Sequence, residues 1–311
     1  CVQQHNSSSS HASCQTHCDS QPMLFQVLGS RKVVADFSGG ALSSDGGLLL
    51  LRQVDSGLGV SRTIAKCFTD ARDPLRVEHS VPELVRQRLF ALALGYEDLN
   101  DHSDLRRDPL LATAVGKEDV LGEDRRCAKD AGFACASPAT LNRLELGANF
   151  SDRYRKVHAD PQALEDALLE LGVRCLPTDS KVLILDFDAT DDPLHGRQEG
   201  RFFHGYYGNY CYLPLYCFCG SVPLWAQLRS SDKDASTGTV EALKKIVAAI
   251  RRRMPKLKIV VRGDSGFARE AIMAWCEGQR DVFYLLGMAR NARLERLAGP
   301  SSLRAAASFC L

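Results

Sequence analysis

The sequence lacks three features that would assign it to a protein class at once. No run of about 18 or more apolar residues occurs in its 311 residues, and a membrane-spanning helix needs about 20. No charged and then apolar leader with a small-residue cleavage site is present. The net charge is only +1, so the total does not indicate a strongly basic nucleic-acid-binding protein. We therefore expect a cytoplasmic protein without a membrane span or secretory signal, in which any DNA contact comes from local basic patches.

Cysteine is abundant but irregularly spaced, with twelve residues in all. Six of the cysteines lie in apolar or helical stretches without paired spacing: Cys67, Cys127, Cys135, Cys175, Cys211 and Cys276. This favours reduced cysteines that act as small apolar residues. Cys14, His17 and Cys18 imitate half of a zinc site, but no second pair follows at zinc-finger spacing. We expect neither a disulfide framework nor a zinc site.

The first half of the chain divides into two regions. Residues 1–32 begin with a serine-rich stretch without apolar periodicity, which predicts a disordered leader or translated upstream sequence. Residues 33–177 have mostly helical patterns, and we expect this region to bind DNA. Ser44 and Asp45 predict the N-cap of its first helix. Further helices are expected at or near 80–95, 102–115, 137–147 and 161–171.

The pattern changes after residue 177, where a continuous apolar run, KVLILDFDAT, predicts a buried strand. Two aromatic or alternating segments then predict antiparallel strands at 206–218 and 222–228. A helix, a strand, a helix and a strand are predicted at 237–254, 257–261, 268–276 and 282–286. We expect an α/β domain over residues 178–298, with three antiparallel strands followed by parallel strands and helices. Residues 299–311 are expected to form an irregular tail.

Acidic side chains end two of these predicted strands. Asp186 and Asp188 share one face of the first strand because strand residues alternate between faces. Asp264 follows the apolar residues 259–261 of a later strand. If these two strands are parallel neighbours, the acids meet at one edge of the sheet, where α/β folds bind ligands. Carboxylate oxygens suit Mg²⁺ or Mn²⁺.

Two structural interpretations remain open beside this one. Acids at strand ends also serve as turn residues, and Asp264 is in position to cap the helix that follows. Between the acids, His195, Arg201, Phe202, His204 and several tyrosines form a mixed basic and aromatic segment. Such a segment can contact phosphates and stack on bases, or it can be a hairpin with a half-buried aromatic face.

Four separated motifs in the same order resemble the insertion-sequence DDE transposases, in particular the family numbered thirteen-eighty. The first two, FSGGALSSDGGLLLL and LALGYEDLNDHSDLRRDPLL, lie in the helical region. The others are LDFDAT with the adjoining DDPLHGRQEG, and VVRGDSGF. The resemblance extends from about Phe37 to about Leu297.

The resemblance implies an RNase-H-like core whose first and fourth strands each supply an aspartate. Asp188 resembles the first acid and Asp264 the second, while Asp186 is the less favoured candidate for the first. The family implies two Mg²⁺ or Mn²⁺ ions, which support cleavage of a DNA strand and attack of the freed 3′ hydroxyl on target DNA. The implied partners are double-stranded DNA and a second copy of the chain on it, and the implied location is the bacterial nucleoid.

The third acid of the family is a glutamate on a helix far downstream of the fifth strand. Glu295 follows the predicted strand at 282–286 too closely to be that residue. We therefore expect an incomplete copy, truncated at its C-terminal end, with weak or absent strand cleavage.

Two other functions compete with this interpretation. LDFDAT also fits the start of haloacid-dehalogenase-like phosphatases, with Asp186 as nucleophile and Asp188 as general acid. The antiparallel segments that follow, and the absence of a second acid after Gly263-Asp264, count against a phosphatase. The other alternative is an inactive DNA-binding relic, in which helical-region arginines contact phosphates: Arg106, Arg107, Arg125 and Arg126.

Overall fold

A computed structural model describes residues 23–29, 31–35, 43–146, 156–196, 198, 200–289, 292, 293 and 296. The zinc-like cluster at residues 14–18, most of the leader, Glu295 and the tail at 299–311 lie outside these residues. Two compact units emerge. The first comprises residues 1–61 and 72–146, and the second comprises residues 62–71 and 147–311.

The elements follow one another along the chain in two groups. Up to residue 146 they are β1 (Met23–Leu24), β2 (Val34–Ala35), α1 (Leu48–Leu58), α2 (Val60–Ala65), β3 (Phe68–Asp70), α3 (Val81–Ala93), α4 (His102–Leu105), α5 (Pro109–Val115) and α6 (Pro138–Glu145). After it they are β4 (Val157–Ala159), α7 (Pro161–Cys175), β5 (Val182–Ala189), β6 (Asp192–Pro193), β7 (Phe202–His204), β8 (Asn209–Tyr212), β9 (Leu215–Cys219), β10 (Val222–Gln227), α8 (Thr239–Arg253), β11 (Lys258–Gly263), α9 (Glu270–Glu277) and β12 (Val282–Leu286). No helix among the described residues combines the length and the apolar character that a membrane crossing requires.

The first unit is helical and has its own core. Ser80 and Glu83 form a capping box at the start of α3, where the Glu83 carboxylate accepts from the Ser80 backbone N–H at 2.7 Å. The buried amide of Gln87 exchanges two hydrogen bonds with the Ala136 backbone, at 2.8 and 2.9 Å. The core residues are Leu48, Phe90, Leu111, Ala112, Ala114, Val115, Ala134 and Cys135. The cysteines that the structure describes are free.

Three details of the sequence prediction are wrong. The single helix expected at 102–115 is two helices, because Asp108 caps a new helix that begins at Pro109. The first helix begins at Leu48 with Gly47 at its N-cap, not at Ser44 or Asp45. The strand expected at 206–218 is two strands in different sheets, and Pro214, which has no N–H to donate, lies between them.

A five-stranded mixed sheet organises the second unit, in the order β10-β9-β5-β11-β12. Strands β10, β9 and β5 pair antiparallel in turn. Strand β11 pairs parallel with both β5 and β12. Helix α8 precedes β11 in the chain, and α9 connects β11 to β12. The mixed α/β character expected from the sequence is therefore confirmed. A separate three-stranded antiparallel sheet, β6-β8-β7, lies in the chain between β5 and β9.

The helices α7, α8 and α9 share one hydrophobic core with the inward side chains of the sheet. Gly172 of α7 lies so close to β10 that a Cβ atom there would be 2.4 Å from the Pro223 carbonyl oxygen. Helix α7 was assigned from sequence to the helical region ending at residue 177, but this packing places it in the second unit.

The opposite face of the five-stranded sheet is open to solvent. Its side chains alternate with the buried ones, because neighbouring strand residues point to opposite faces. The exposed apolar members of this face are Val182, Ile184, Phe218, Phe283 and Leu285. We call this surface the open face. The acidic ends of two central strands belong to it.

Candidate active site

Strand β5 separates its side chains cleanly between core and solvent. Leu183, Leu185 and Phe187 are buried in the core. Asp186 and Asp188 alternate with them and point to the open face, with Asp188 exposed and Asp186 half-buried. The continuous apolar run thus supplies one face for packing and leaves the carboxylates available on the other.

The register of β5 and β11 places Asp188 and Asp264 at equivalent positions on neighbouring parallel strands. Arg262 is the partner of Asp186, so the residues two positions further along are Asp264 and Asp188. The backbone remains extended at Asp264, with φ of −74° and ψ of −170°. Adjacent strands lie about 4.8 Å apart. Two acids that are distant in the sequence therefore share one edge of the sheet.

Hydrogen bonds hold each of these carboxylates locally. The Asp188 Oδ1 atom accepts from the Ala189 backbone N–H at 2.8 Å, and its Oδ2 atom accepts from the Thr190 hydroxyl at 2.9 Å. The Asp264 Oδ1 atom accepts from the Gly266 backbone N–H at 2.8 Å. Asp264 therefore also caps a short 3₁₀ turn at Ser265–Phe267, the structural role that the sequence had left open.

Asp186 is in a different electrostatic situation, because it forms a two-pronged ion pair with Arg262. The guanidinium Nε donates to Oδ1, and Nη2 donates to Oδ2 at 2.8 Å. This carboxylate raises the pKa of Arg262. Within the described part of the chain, no comparable ion pair involves Asp188 or Asp264, whose bonds come from neutral donors. Arg262 thus compensates one of the three aspartates, and the described residues supply no cationic partner to the other two.

Tyr207 lies beside the same strand end. Its hydroxyl donates to the Ala189 carbonyl oxygen at 3.3 Å. Burial raises its pKa first, and the charges of Asp191, Asp188 and Asp264 raise it further. The charges of both Asp188 and Asp264 therefore act on the hydroxyl of Tyr207. The sequence analysis did not single out Tyr207, because nothing in the segment YYGNY distinguishes one tyrosine from another.

A loop between β10 and α8 adjoins the Asp264 turn. The buried Arg229 organises it by donating to the carbonyl oxygens of Leu213, Ala235 and Thr237, the Ala235 bond being 3.2 Å long. A Cβ atom on Gly266 would lie 3.4 Å from the side chain of Ala235, which shows how closely the two segments approach.

Asp234 of this loop fixes the segment that follows Asp264. Its carboxylate accepts from the Ser236 hydroxyl at 2.5 Å and from Arg269 at 2.8 Å. The Ser236 hydroxyl and then Arg269 lower the pKa of Asp234 to about 2.

Aromatic side chains project from the neighbouring small sheet. We call β7, β8 and the turn between them, residues 202–212, the aromatic hairpin. Phe203 and Tyr210 meet edge to face at 5.5 Å, and the guanidinium of Arg201 lies 4.8 Å from the Tyr210 ring centre. Tyr206 is 86% exposed. The segment is thus an antiparallel hairpin, as one sequence interpretation offered, and it combines the half-buried rings of Tyr207 and Tyr212 with exposed ones. Arg197 and Glu199 of the same segment lie outside the described residues.

The donor chemistry at Asp188 and Asp264 fits a hard divalent cation. Both supply carboxylate oxygens that have no cationic partner among the described residues, and Mg²⁺ binds through one or two carboxylates while it keeps several waters. Across the described ranges, no cluster of three or more His, Cys, Asp or Glu side chains is arranged to hold a metal ion. The two aspartates thus supply part of a coordination shell.

Comparison with known proteins gives one match. A family model described as transposase DDE domain group 1 matches residues 25–309. No curated protein and no solved structure matches the chain. The family match excludes the phosphatase that the LDFDAT motif had offered as an alternative, and it carries DNA binding and DNA transposition with it. Since the matched range is most of the sequence, the chain belongs to the DDE transposases of domain group 1.

Proposed function

We propose that Asp188 and Asp264 form the carboxylate site of this transposase and that Asp186 stands outside it. The observation that carries the proposal is their equivalent position on adjacent parallel strands, without a cationic partner among the described residues. The negative charge of Asp186 is compensated by Arg262, so this carboxylate does not require a metal ion as its counterion. The choice between the two acids of LDFDAT therefore rests on charge balance as well as on the motif.

The proposal includes an RNase-H-like fold for the second unit. The antiparallel strands β5, β9 and β10 come first in the chain, and β11 and β12 follow as strands parallel to β5. Strand β5, the first of the five in the chain, lies at the centre of the sheet. The first and fourth strands of this sheet carry the two aspartates, as the resemblance to insertion-sequence transposases implies. We also place the chain in the family numbered thirteen-eighty, on its four sequence motifs.

The site residues have distinct tasks in the proposed reaction. Bound at Asp188 and Asp264, Mg²⁺ or Mn²⁺ would stabilise the attacking and leaving oxygens of a phosphodiester displacement. The Thr190 hydroxyl and the Gly266 N–H hold the two carboxylates in place. The aromatic hairpin, anchored next to Asp188 by Tyr207, offers exposed rings on which bases of the DNA strand can stack.

The reaction requires a third acid from a segment that follows β12, and residues 287–311 of the sequence contain one acid, Glu295, which lies outside the described residues and follows β12 too closely for that role. The open face gives such a segment a place to pack, since its apolar side chains adjoin both aspartates. We further propose that two copies of the chain act together on double-stranded DNA, one at each element end, on the bacterial nucleoid. Cut-and-paste joining requires both ends to be held at once.

The experiment is a nicking assay on supercoiled plasmid with Mg²⁺ or Mn²⁺. For the chain alone we expect weak or absent nicking, because Glu295 is the one acid that follows β12 in the sequence. Fused to the C-terminal segment of a complete family member, the chain should nick the plasmid with either ion. In this chimera we expect loss of nicking in Asp188→Asn and in Asp264→Asn, and its retention in Asp186→Asn. A carboxylate that holds the metal contributes at least about a hundredfold to the rate, or about 2.7 kcal/mol. Nicking that persists in EDTA identifies a metal-independent contaminant, and the Asp188→Asn and Asp264→Asn proteins, purified in the same way, reveal any metal-dependent contaminating nuclease.

Two results would contradict the proposal. Nicking that survives in both Asp188→Asn and Asp264→Asn would place the chemistry elsewhere. A chimera that binds DNA but never nicks it, with either ion, would support the alternative of an inactive DNA-binding relic.

A further inference from the structure

Four arginines surround an open concavity of about 500 Å³ in the first unit. We call Arg72, Arg76, Arg126 and Arg143 the arginine cradle. The remaining lining residues are Val77, Glu78, His79 and Thr140.

Three separate segments converge to build the cradle. Arg76 ends a 3₁₀ turn that Asp73 caps by accepting from the Leu75 N–H at 3.1 Å. Arg143 lies in the last turn of α6. Arg126 comes from the loop before α6, where its backbone N–H donates to Glu78 at 3.2 Å. Residues distant in sequence are thus brought together by defined local structure.

The cradle is positive although its surroundings are not. Acidic residues outnumber basic ones over residues 72–146, so the clustering does not follow from composition. The carboxylate of Glu78 is already shared between the guanidinium of Arg125, at 3.2 Å, and the Arg126 backbone. Asp73 lies 3.4 Å from Arg76, but both side chains are highly exposed, so the attraction is weak. Arg126 and Arg143 form no ion pair with the residues that the structure describes, so these two guanidinium groups give the cradle an excess of positive charge.

His79 is the buried residue among those that line the cradle. It is 7% exposed, and a guanidinium nitrogen of Arg125 lies 2.8 Å from its Nε2. Burial lowers the pKa of His79 to about 3, and Lys117, Arg125, Arg72 and Arg106 contribute to the lowering. The neutral imidazole of His79 accepts a hydrogen bond from Arg125 and so helps to hold that side chain beside the cradle.

We infer that the arginine cradle binds a backbone phosphate of duplex DNA. Arginine guanidinium groups match phosphate oxygens in geometry as well as in charge. Arg76, Arg126 and Arg143 are exposed around an open concavity, which suits a phosphate on a continuous backbone better than a small enclosed anion. Such a contact positions the duplex without reading its sequence. The inference rests on the proposed function only in taking DNA as the partner.

The test compares two charge-matched double variants of the full chain. Arg126→Gln with Arg143→Gln removes two cradle charges, and both side chains are exposed, so that folding should be unaffected. Lys256→Gln with Arg280→Gln is the control, because these exposed residues precede β11 and β12, at the strand ends opposite Asp264. Binding to a fluorescent random-sequence duplex is measured in EDTA over a series of salt concentrations. Circular dichroism and melting curves check the fold of each variant.

We expect the cradle variant to bind about tenfold or more weakly at 0.1 M salt, with the slope of log K against log salt reduced by about 1 to 2. The control variant should match the wild type in affinity and in salt dependence. Equal slopes and affinities in wild type and cradle variant would overturn the inference and leave the carboxylate site untouched. Inorganic phosphate could also stabilise the wild type and the control variant but not the cradle variant, while all three bind the duplex equally well. That result would show a site for small anions and would overturn the inference too.

Discussion

Replacing either proposed metal-binding aspartate by asparagine should separate stability from metal binding. Asparagine keeps the size of the side chain and an oxygen that can accept from Ala189 at position 188 or from Gly266 at position 264. Two carboxylates at the spacing of neighbouring strands, about 4.8 Å, repel by about 0.9 kcal/mol in water. Without metal, Asp188→Asn and Asp264→Asn should therefore be as stable as the wild type, or more stable by up to that amount.

Metal should reverse this order. If the site binds Mn²⁺ with a dissociation constant of about 1 mM, then 10 mM Mn²⁺ stabilises the wild type by about 1.4 kcal/mol. For a unit of this size that corresponds to a rise in melting temperature of roughly 3 to 6 °C. Each asparagine variant loses a charged ligand and should lose most of the rise.

The assay is thermal unfolding in chelator-treated buffer, with and without MnCl₂. Asp186→Asn is the matched control on the same strand. It should keep the Mn²⁺ response and lose less than about 1 kcal/mol of stability without metal, because its ion pair with Arg262 is partly exposed. The reasoning is refuted if Asp186→Asn abolishes the Mn²⁺ response while Asp188→Asn preserves it, or if all three variants respond like the wild type.

Three further expectations concern the fold around the site. Arg229→Met should lower the free energy of unfolding by about 3 kcal/mol in urea titrations. The substitution leaves three carbonyl groups without the hydrogen bonds that the guanidinium now donates. A loss below about 1 kcal/mol would contradict this. Asp234, whose pKa is lowered to about 2, should stabilise the fold above pH 4 and lose that contribution as the pH falls towards 2, since protonation breaks its pairing. The stability difference between wild type and Asp234→Asn should therefore shrink over that pH range, and a constant difference would rule the linkage out. Gly172→Ala should destabilise the second unit by about 1 to 3 kcal/mol, because the new methyl group meets the Pro223 carbonyl; an unchanged melting temperature would show that α7 adjusts freely.

The strands that carry the acids could be predicted from the sequence because their apolar runs are continuous and end abruptly. Leu183, Leu185 and Phe187 had to be buried, and this fixed the face on which Asp186 and Asp188 lie. What the sequence left undecided was the functional difference between those two acids. That difference depends on the register with β11, which places Arg262 beside Asp186. Pairing across strands is set by the whole sheet and is not encoded in one segment.

The interruptions of regular structure were harder to predict. A helical period spans residues 102–115, yet Asp108 and Pro109 restart the helix in its middle. Apolar and aromatic residues continue from 206 to 218, yet the chain changes sheets near Pro214. In both cases the regular element is interrupted at a proline, which has no N–H group to donate, although the hydrophobic pattern continues past it. Tyr207 escaped prediction because its role comes from its position in three dimensions next to Ala189.

The open face has a consequence for the strength of every charge on it. Asp188, Asp264 and the pair of Asp186 with Arg262 now interact through water, where charges are strongly attenuated. A layer packed over Val182 and Ile184 would replace that water by a medium of low dielectric constant. Cation binding at the strand ends would then tighten, and the same ion pair would become costly to break. The affinity for metal at the strand ends therefore depends on what packs over the open face as well as on the two aspartates.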